Sequence, residues 1–159
     1  MVQLTIITVG SLKERYLEEA AAEYKKRLSQ YAKVEEINIK EEKIKDEDNR
    51  AEIERALSLE GEKIVERIPD GAFTVALCVE GRQFDSVALA KKLEEASAAQ
   101  GKLCFIIGSS HGLSPKVKST AALRLSVSEL TFPHQLMRVM LSEIIYRSFT
   151  IIAGKRYHK

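Results

Sequence analysis

The chain has 159 residues, 45% of them hydrophobic and 30% charged, which is enough apolar side chain for one core and too little for two, so one domain over residues 1–159 is expected. Its formal charge of +2 excludes diffuse electrostatic capture of a polyanion, and any nucleic-acid contact has to come from a local basic cluster. Cys78 and Cys104 sit in short apolar runs, no CxxC or HExxH occurs, and His111, His134 and His158 are far apart, so neither a redox pair nor a metal site is expected.

Residues 2–9 form a β-branched run that reads as a strand, broken by Gly10. Leu12, Tyr16, Ala20, Tyr24 and Leu28 follow at four-residue spacing and predict an amphipathic helix. A second strand is expected over residues 34–39, then a charged connection over 40–50. Ile53, Leu57, Ile64 and Ile68 mark a second helix, stopped by the Pro69-Asp70-Gly71 turn. The third strand, residues 73–79, is expected to end in a turn at Glu80-Gly81. Asp85 or Ser86 can cap the next helix, which runs through Ala99 and ends at Gly101. Residues 103–107 are nearly all apolar, as in a strand covered on both faces, and predict the central position in a parallel sheet. A glycine loop, Gly108-Ser109-Ser110-His111-Gly112, leads to a short helix opened near Ser114-Pro115, and residues 123–127 give a fifth strand.

The last helix is expected from Pro133 to about Ile152, and most of its circumference is apolar. Enclosure within one molecule and a homodimer contact account for that surface equally well. The alternation predicts an α/β fold with a mainly parallel sheet of about five strands flanked by helices. No basic stretch with an apolar core and cleavage site opens the chain, and no apolar run approaches membrane-spanning length. A cytoplasmic protein without membrane contact is therefore expected.

Open α/β sheets bind ligands at the carboxyl ends of their strands, which places a site in the loops after Val79, Ile107 and Val127. Gly108 and Gly112 permit close backbone approach or positive φ there, although an ordinary turn has the same composition. The spacing matches neither GxGxxG nor GxxxxGK, which weighs against dinucleotides and nucleoside triphosphates. In the stretch 126–135, Pro133 biases Phe132 toward an extended backbone, so loop amides can face a heterocycle while Leu130 and Phe132 supply apolar walls. Thr131 or a neighbour can cap the following helix. His134 is equally readable as a packed or capping residue and as a catalyst; the positive helix end disfavours its imidazolium. The tail 154–159 gathers Lys155, Arg156, Tyr157, His158 and Lys159, which can neutralise phosphates, stack on a base and exchange protons. That combination reads as an RNA contact.

Taken together, V-G-x-L-K at 9–13, I-G-x-S-x-G-L at 107–113, L-T-F-P-H-Q-L-M-R-V at 130–139 and the closing Y-H-K resemble the ribosomal RNA large-subunit methyltransferase H family over essentially the whole chain. The resemblance implies a SPOUT α/β fold with a carboxyl-terminal trefoil knot, an exception to the rule that chains avoid knots. It further implies a homodimer that transfers methyl from S-adenosylmethionine to N3 of a pseudouridine in 23S rRNA of the assembled ribosome, without a metal. Implied cofactor contacts are Leu77, Gly108, Val127, Ser128, Glu129, Leu130, Thr131 and Phe132. For removal of the N3 proton the tail offers His158 first and Tyr157 second, and Arg138, Lys155, Arg156 and Lys159 are the expected RNA contacts. Arg138 reads equally as a surface salt-bridge partner. Ser109 stands where the family has a second glycine, and a positive φ there would strain it by about 1–2 kcal/mol. Two rival functions fit the same residues, a non-catalytic ribosome- or RNA-binding factor and a SPOUT methyltransferase with another RNA target.

Overall fold

A computed structural model describes all residues 1–159. In chain order it contains β1 (Val2–Val9), α1 (Arg15–Leu28), β2 (Ala32–Ile39), α2 (Arg50–Arg67), β3 (Phe73–Arg82), α3 (Ser86–Gln100), β4 (Lys102–Ile107), α4 (Pro115–Thr120), β5 (Leu123–Leu125) and α5 (His134–Ile152). The strands form one five-stranded sheet in the order β2-β1-β4-β3-β5, with every neighbouring pair parallel. β4 is central, as the apolar, buried run Leu103–Ile107 requires of a strand covered on both sides.

Alternation along the strands sorts the core into two layers. Leu4, Ile6, Val75, Leu103, Phe105 and Ile107 face α1, α3 and α5, where Leu28, Leu89, Leu93, Leu141, Ile145 and Phe149 complete the cluster. Ile7, Val9, Ala76, Cys104 and Ile106 face the other way, onto Ile64 of α2 and Val117 of α4. Each large side chain so buried stabilises the fold by about 1.5–3 kcal/mol relative to exposure. Side-chain caps start three helices. Asn49 Oδ1 accepts from Glu52 N at 3.2 Å, Asp85 Oδ1 from Ala88 N at 2.7 Å, and Ser114 Oγ from Val117 N at 3.3 Å. Each cap contributes about 1 kcal/mol.

Several expectations from the sequence need correction. Glu80 and Gly81 do not turn the chain; β3 continues through Arg82, and its register against β5 shifts between Leu77 and Arg82. β5 is short, Leu123–Leu125, which hands Ser126 and Val127 to the following loop. No side chain caps α5, so neither Thr131 nor its neighbours plays that part, and Pro133 holds the N-cap position. Tyr16 is 67% exposed, and the buried side chains of α1 are Leu17 and Leu28. No helix is long and apolar enough to cross a membrane.

Candidate active site

The strand order puts the carboxyl ends of β4, β3 and β5 side by side, and the segments leaving them enclose a cavity of about 320 Å³. Leu77, Cys78, Val79 and Glu80 contribute from β3, the whole Gly108–Gly112 loop from the end of β4, and Ser126, Val127, Ser128, Leu130, Thr131 and Phe132 from the end of β5. His134 and Met137, one turn apart on α5, complete the wall.

The loop after β4 is tightly built. Gly112 N donates to Ser109 O at 2.9 Å, and His111 N donates to Ser109 Oγ at 3.3 Å. A Cβ on Gly108 would stand 2.2 Å from the Gly112 carbonyl oxygen, so only glycine fits there. The left-handed backbone falls on Gly112, with φ of 86°, and no other residue type in the chain has positive φ. Ser109 therefore replaces glycine without strain. From this loop His111 Nε2 donates to Glu47 Oε2 at 2.7 Å, and buried Glu60 accepts from Glu42 N at 2.9 Å, which ties the connection between β2 and α2 to the same edge. Burial raises the Glu60 carboxyl above the usual carboxylate range, although the Glu42 amide and the nearby His111 pull it back and Glu41 and Glu42 add to the rise.

The loop after β5 is longer and leaves most of its amides unbonded. Leu130 N donates to Ser128 Oγ at 3.0 Å and Ser126 Oγ to Ser128 O at 3.3 Å, while the amides of Val127, Thr131 and Phe132 donate to no group of the chain. Leu130 is 72% exposed at the lip. Free amide N–H groups can donate to the edge of a heterocycle while the adjacent apolar side chains cover the face of its ring.

Charge at the site is arranged by neighbours. Lys118 of α4 pairs with Glu80, and the hydrogen bond holds the Glu80 carboxyl below its ordinary range. Burial lowers the His134 imidazole, with Arg138 and Lys13 acting the same way against Glu41, so His134 is predominantly neutral near pH 7. Burial pushes up the Cys78 thiol, and that of Cys104 to about 12. Cys104 is buried, whereas Cys78 is half-buried and borders the cavity, although both sit in apolar runs.

Of the residues singled out in the sequence, Leu77, Gly108, Val127, Ser128, Leu130, Thr131 and Phe132 all line the cavity. Glu129 is exposed and lies outside its walls. Arg138 makes no ion pair; its Nη2 donates to Val9 O at 3.0 Å and also to Gly10 O. Beside it Gln135 Oε1 accepts from Lys13 N at 3.0 Å, so the Val9–Lys13 motif and the start of α5 are bonded partners. The tail is folded back on α5, away from the cavity walls. Tyr157 Oη donates to Glu143 Oε1 at 3.0 Å, and Arg147 Nη1 lies 3.3 Å from His158 Nδ1. Cys78, Lys118 and Met137 were missed as wall residues, because the sequence gave no sign of how β3 and α4 meet or of which turn of α5 faces the loops, while His134, readable as packed or as a catalyst, lies in the wall.

Residues 2–158 match the family described as "Predicted SPOUT methyltransferase". The chain is 48% identical over 158 residues to the ribosomal RNA large subunit methyltransferase H of Streptococcus gordonii, with 99% of each chain covered. It is 46% identical over 156 residues to the protein of the same name from Caldicellulosiruptor saccharolyticus, covering 98% of this chain and 99% of that one. Among solved structures, one concerned with the 2-OH methylation of C/U34 on tRNA superposes with a TM-score of 0.52 at 14% identity, covering 97% of this chain and 99% of that one, and so shares the fold. A parallel sheet with a loop-walled cavity at its carboxyl edge, matched almost end to end by these relatives, places the chain in the SPOUT methyltransferases, within the ribosomal RNA large subunit methyltransferase H family.

Proposed function

We propose that the chain methylates N3 of a pseudouridine in 23S rRNA of the assembled ribosome, with S-adenosylmethionine as the donor. The observation that carries this reading is the convergence of three strand-end segments on one cavity, in a chain of this family. The cavity, about 320 Å³, suits a nucleoside-sized ligand. Leu77, Leu125, Leu130, Phe132 and Met137 offer apolar surface to a purine, and the amides of Val127, Thr131 and Phe132 are available to its edge. A bound sulfonium donor supplies an activated methyl group without a metal. The chain's tasks are then to align donor and acceptor, worth several kcal/mol, and to ease loss of the N3 proton. Neutral His134 adds no like charge beside a cationic ligand.

The remaining assignments belong to the same proposal. Residues 1–159 act as one cytoplasmic domain whose carboxyl-terminal part is knotted, and two copies associate through the apolar face of α5, where Leu136 is 39% exposed. Lys155, Arg156 and Lys159 are exposed and meet RNA phosphates, while Tyr157 and His158 meet the acceptor base. Arg138 is assigned instead to holding the β1 end against α5, since its guanidinium is bonded to backbone carbonyls.

The deciding experiment is mass spectrometry of rRNA nucleosides from a deletion strain with and without the gene restored. Methylated pseudouridine that disappears and returns with the gene supports the proposal; loss of a different methylated nucleoside indicates another RNA target. Calorimetric titration with S-adenosylmethionine separates an enzyme from a pure RNA-binding factor, which has no use for that ligand. Deleting residues 157–159 is expected to lower methylation by about 10²-fold or more while donor affinity stays unchanged. Unaltered turnover in the truncated protein would remove the tail from the mechanism.

A further inference from the structure

Gly154, with φ of 66°, ends α5 and turns the chain back, with Lys155 N donating to Thr150 O at 2.9 Å. The returning tail meets a charged fork on α5. Arg147 donates to Glu143 from Nη2 at 2.6 Å and from Nε at 3.4 Å, and the guanidinium lies over the Tyr157 ring at 4.7 Å from its centroid. The ring of Tyr157 packs edge-on against Tyr146 at 4.9 Å, and its hydroxyl is committed to Glu143. Arg147 Nη1 reaches His158 Nδ1 at 3.3 Å. Glu143 and Arg147 also border a small cavity that shares Leu125, Ser126 and Val127 with the proposed donor cavity, so the fork stands just across that strand end.

A guanidinium has only donors and keeps its proton at any working pH, so the Nδ1 atom facing Arg147 has to accept. The neutral ring then carries its hydrogen on Nε2, and the lone pair that would take up a proton is already engaged. Tyr157 is equally unsuited to accept a proton, because burial and the Glu143 hydrogen bond raise its phenol above the ordinary range. We infer that His158 serves the methyl transfer as a hydrogen-bond donor through Nε2–H, fixed in that tautomer by the Glu143–Arg147 fork, and is not the proton acceptor. This rests on the methyl transfer proposed above. N3 of the acceptor ring lies between two carbonyl groups, so the negative charge left when its proton departs to water spreads onto their oxygens. The Nε2–H bond to one of these oxygens stabilises that charge. The N3 electron pair then forms the N–CH₃ bond as the S–CH₃ bond breaks, and the sulfonium leaves as a neutral thioether. Glu143 and Arg147 are positioning residues.

Glutamine and asparagine at position 158 separate donor from base. A glutamine amide places N–H near Nε2 and takes up no proton, whereas an asparagine amide stands near Nδ1 and falls short of the acceptor. With unmethylated ribosomes as substrate, H158A and H158N are expected to lose about 10²-fold in single-turnover rate. H158Q is expected to stay within about tenfold of the parent and to keep its pH profile. A proton acceptor would instead make H158Q as slow as H158A and remove the ascending limb of the profile, and that result overturns the inference. Nitrogen-15 spectroscopy of the free protein reads the tautomer directly. Nε2–H should dominate in the parent, and a shift toward Nδ1–H should follow R147A and, by loosening the fork, E143Q. A parent spectrum dominated by Nδ1–H also overturns the inference. These spectra need no substrate, so their result stands apart from whether the methyl transfer itself is confirmed.

Discussion

The two loops that face each other across the cavity are held in opposite ways. Gly108–Gly112 closes on itself through backbone and hydroxyl bonds, with a backbone contact so close at Gly108 that no side chain fits. Residues 126–132 keep five unused amides, those of Val127, Ser128, Glu129, Thr131 and Phe132, and an exposed Leu130. A wall already bonded to itself fixes where a ligand lies, and a wall with spare donors supplies the bonds that recognise it; a site with both is partly built before the ligand arrives.

Gly108→Ala should break the contrast most severely. Its methyl would overlap the Gly112 carbonyl, and a loss of about 3 kcal/mol in unfolding free energy is expected by denaturant titration, at the upper end for overpacking. Donor affinity should fall at least about tenfold, equivalent to roughly 1.4 kcal/mol. Gly112→Ala tests conformation alone, since nothing lies near its Cβ position. About 1 kcal/mol of stability should be lost to the positive φ. On the adaptable wall Leu130→Ala should leave stability within about 0.5 kcal/mol of the parent. Calorimetry should nevertheless show donor binding weakened by about 1 kcal/mol through lost apolar contact.

The smallest effect concerns Glu60, which braces the β2–α2 connection beside the rigid wall. A carboxyl whose folded pKa is raised is a penalty above that value, and the penalty fades as pH falls through it toward the unfolded value. Glu60→Gln keeps an acceptor for the Glu42 amide and removes the charge. Its denaturation midpoint should exceed the parent's at neutral pH, and the difference should close on acidification.

The strands were legible because alternating or unbroken apolar runs have few other uses, and β4 announced its central place by the apolar run that follows Lys102. The four-residue series through Tyr16 misled because four residues advance a helix by about 400°, so the series drifts about 40° per step. Leu17 and Leu28, eleven residues apart, return to the same face and are buried together. The continuation of β3 past Glu80-Gly81 could not be read locally, since it depends on Arg82 pairing with Leu125 after a register shift. The loops after β4 and β5 were correctly expected at one edge, because the strands of a parallel sheet end on the same side; the third, expected after Val79, proved to be the continuing strand β3, whose Leu77–Glu80 line the cavity. The destinations of Gln135 and Arg138 were invisible for the converse reason: their partners lie 122 to 129 residues away and are backbone atoms, which no side-chain pattern marks. The engagement of Tyr157 and His158 by Glu143 and Arg147 was hidden until Gly154 was seen to reverse the chain.

Crystallisation with S-adenosylmethionine tests the central claim most directly. The donor should lie among Leu77, Gly108 and residues 127–132, with its heterocycle bonded to amides of the loop after β5. A donor bound on another face, or a cavity that stays closed to it at saturating concentration, would contradict the account.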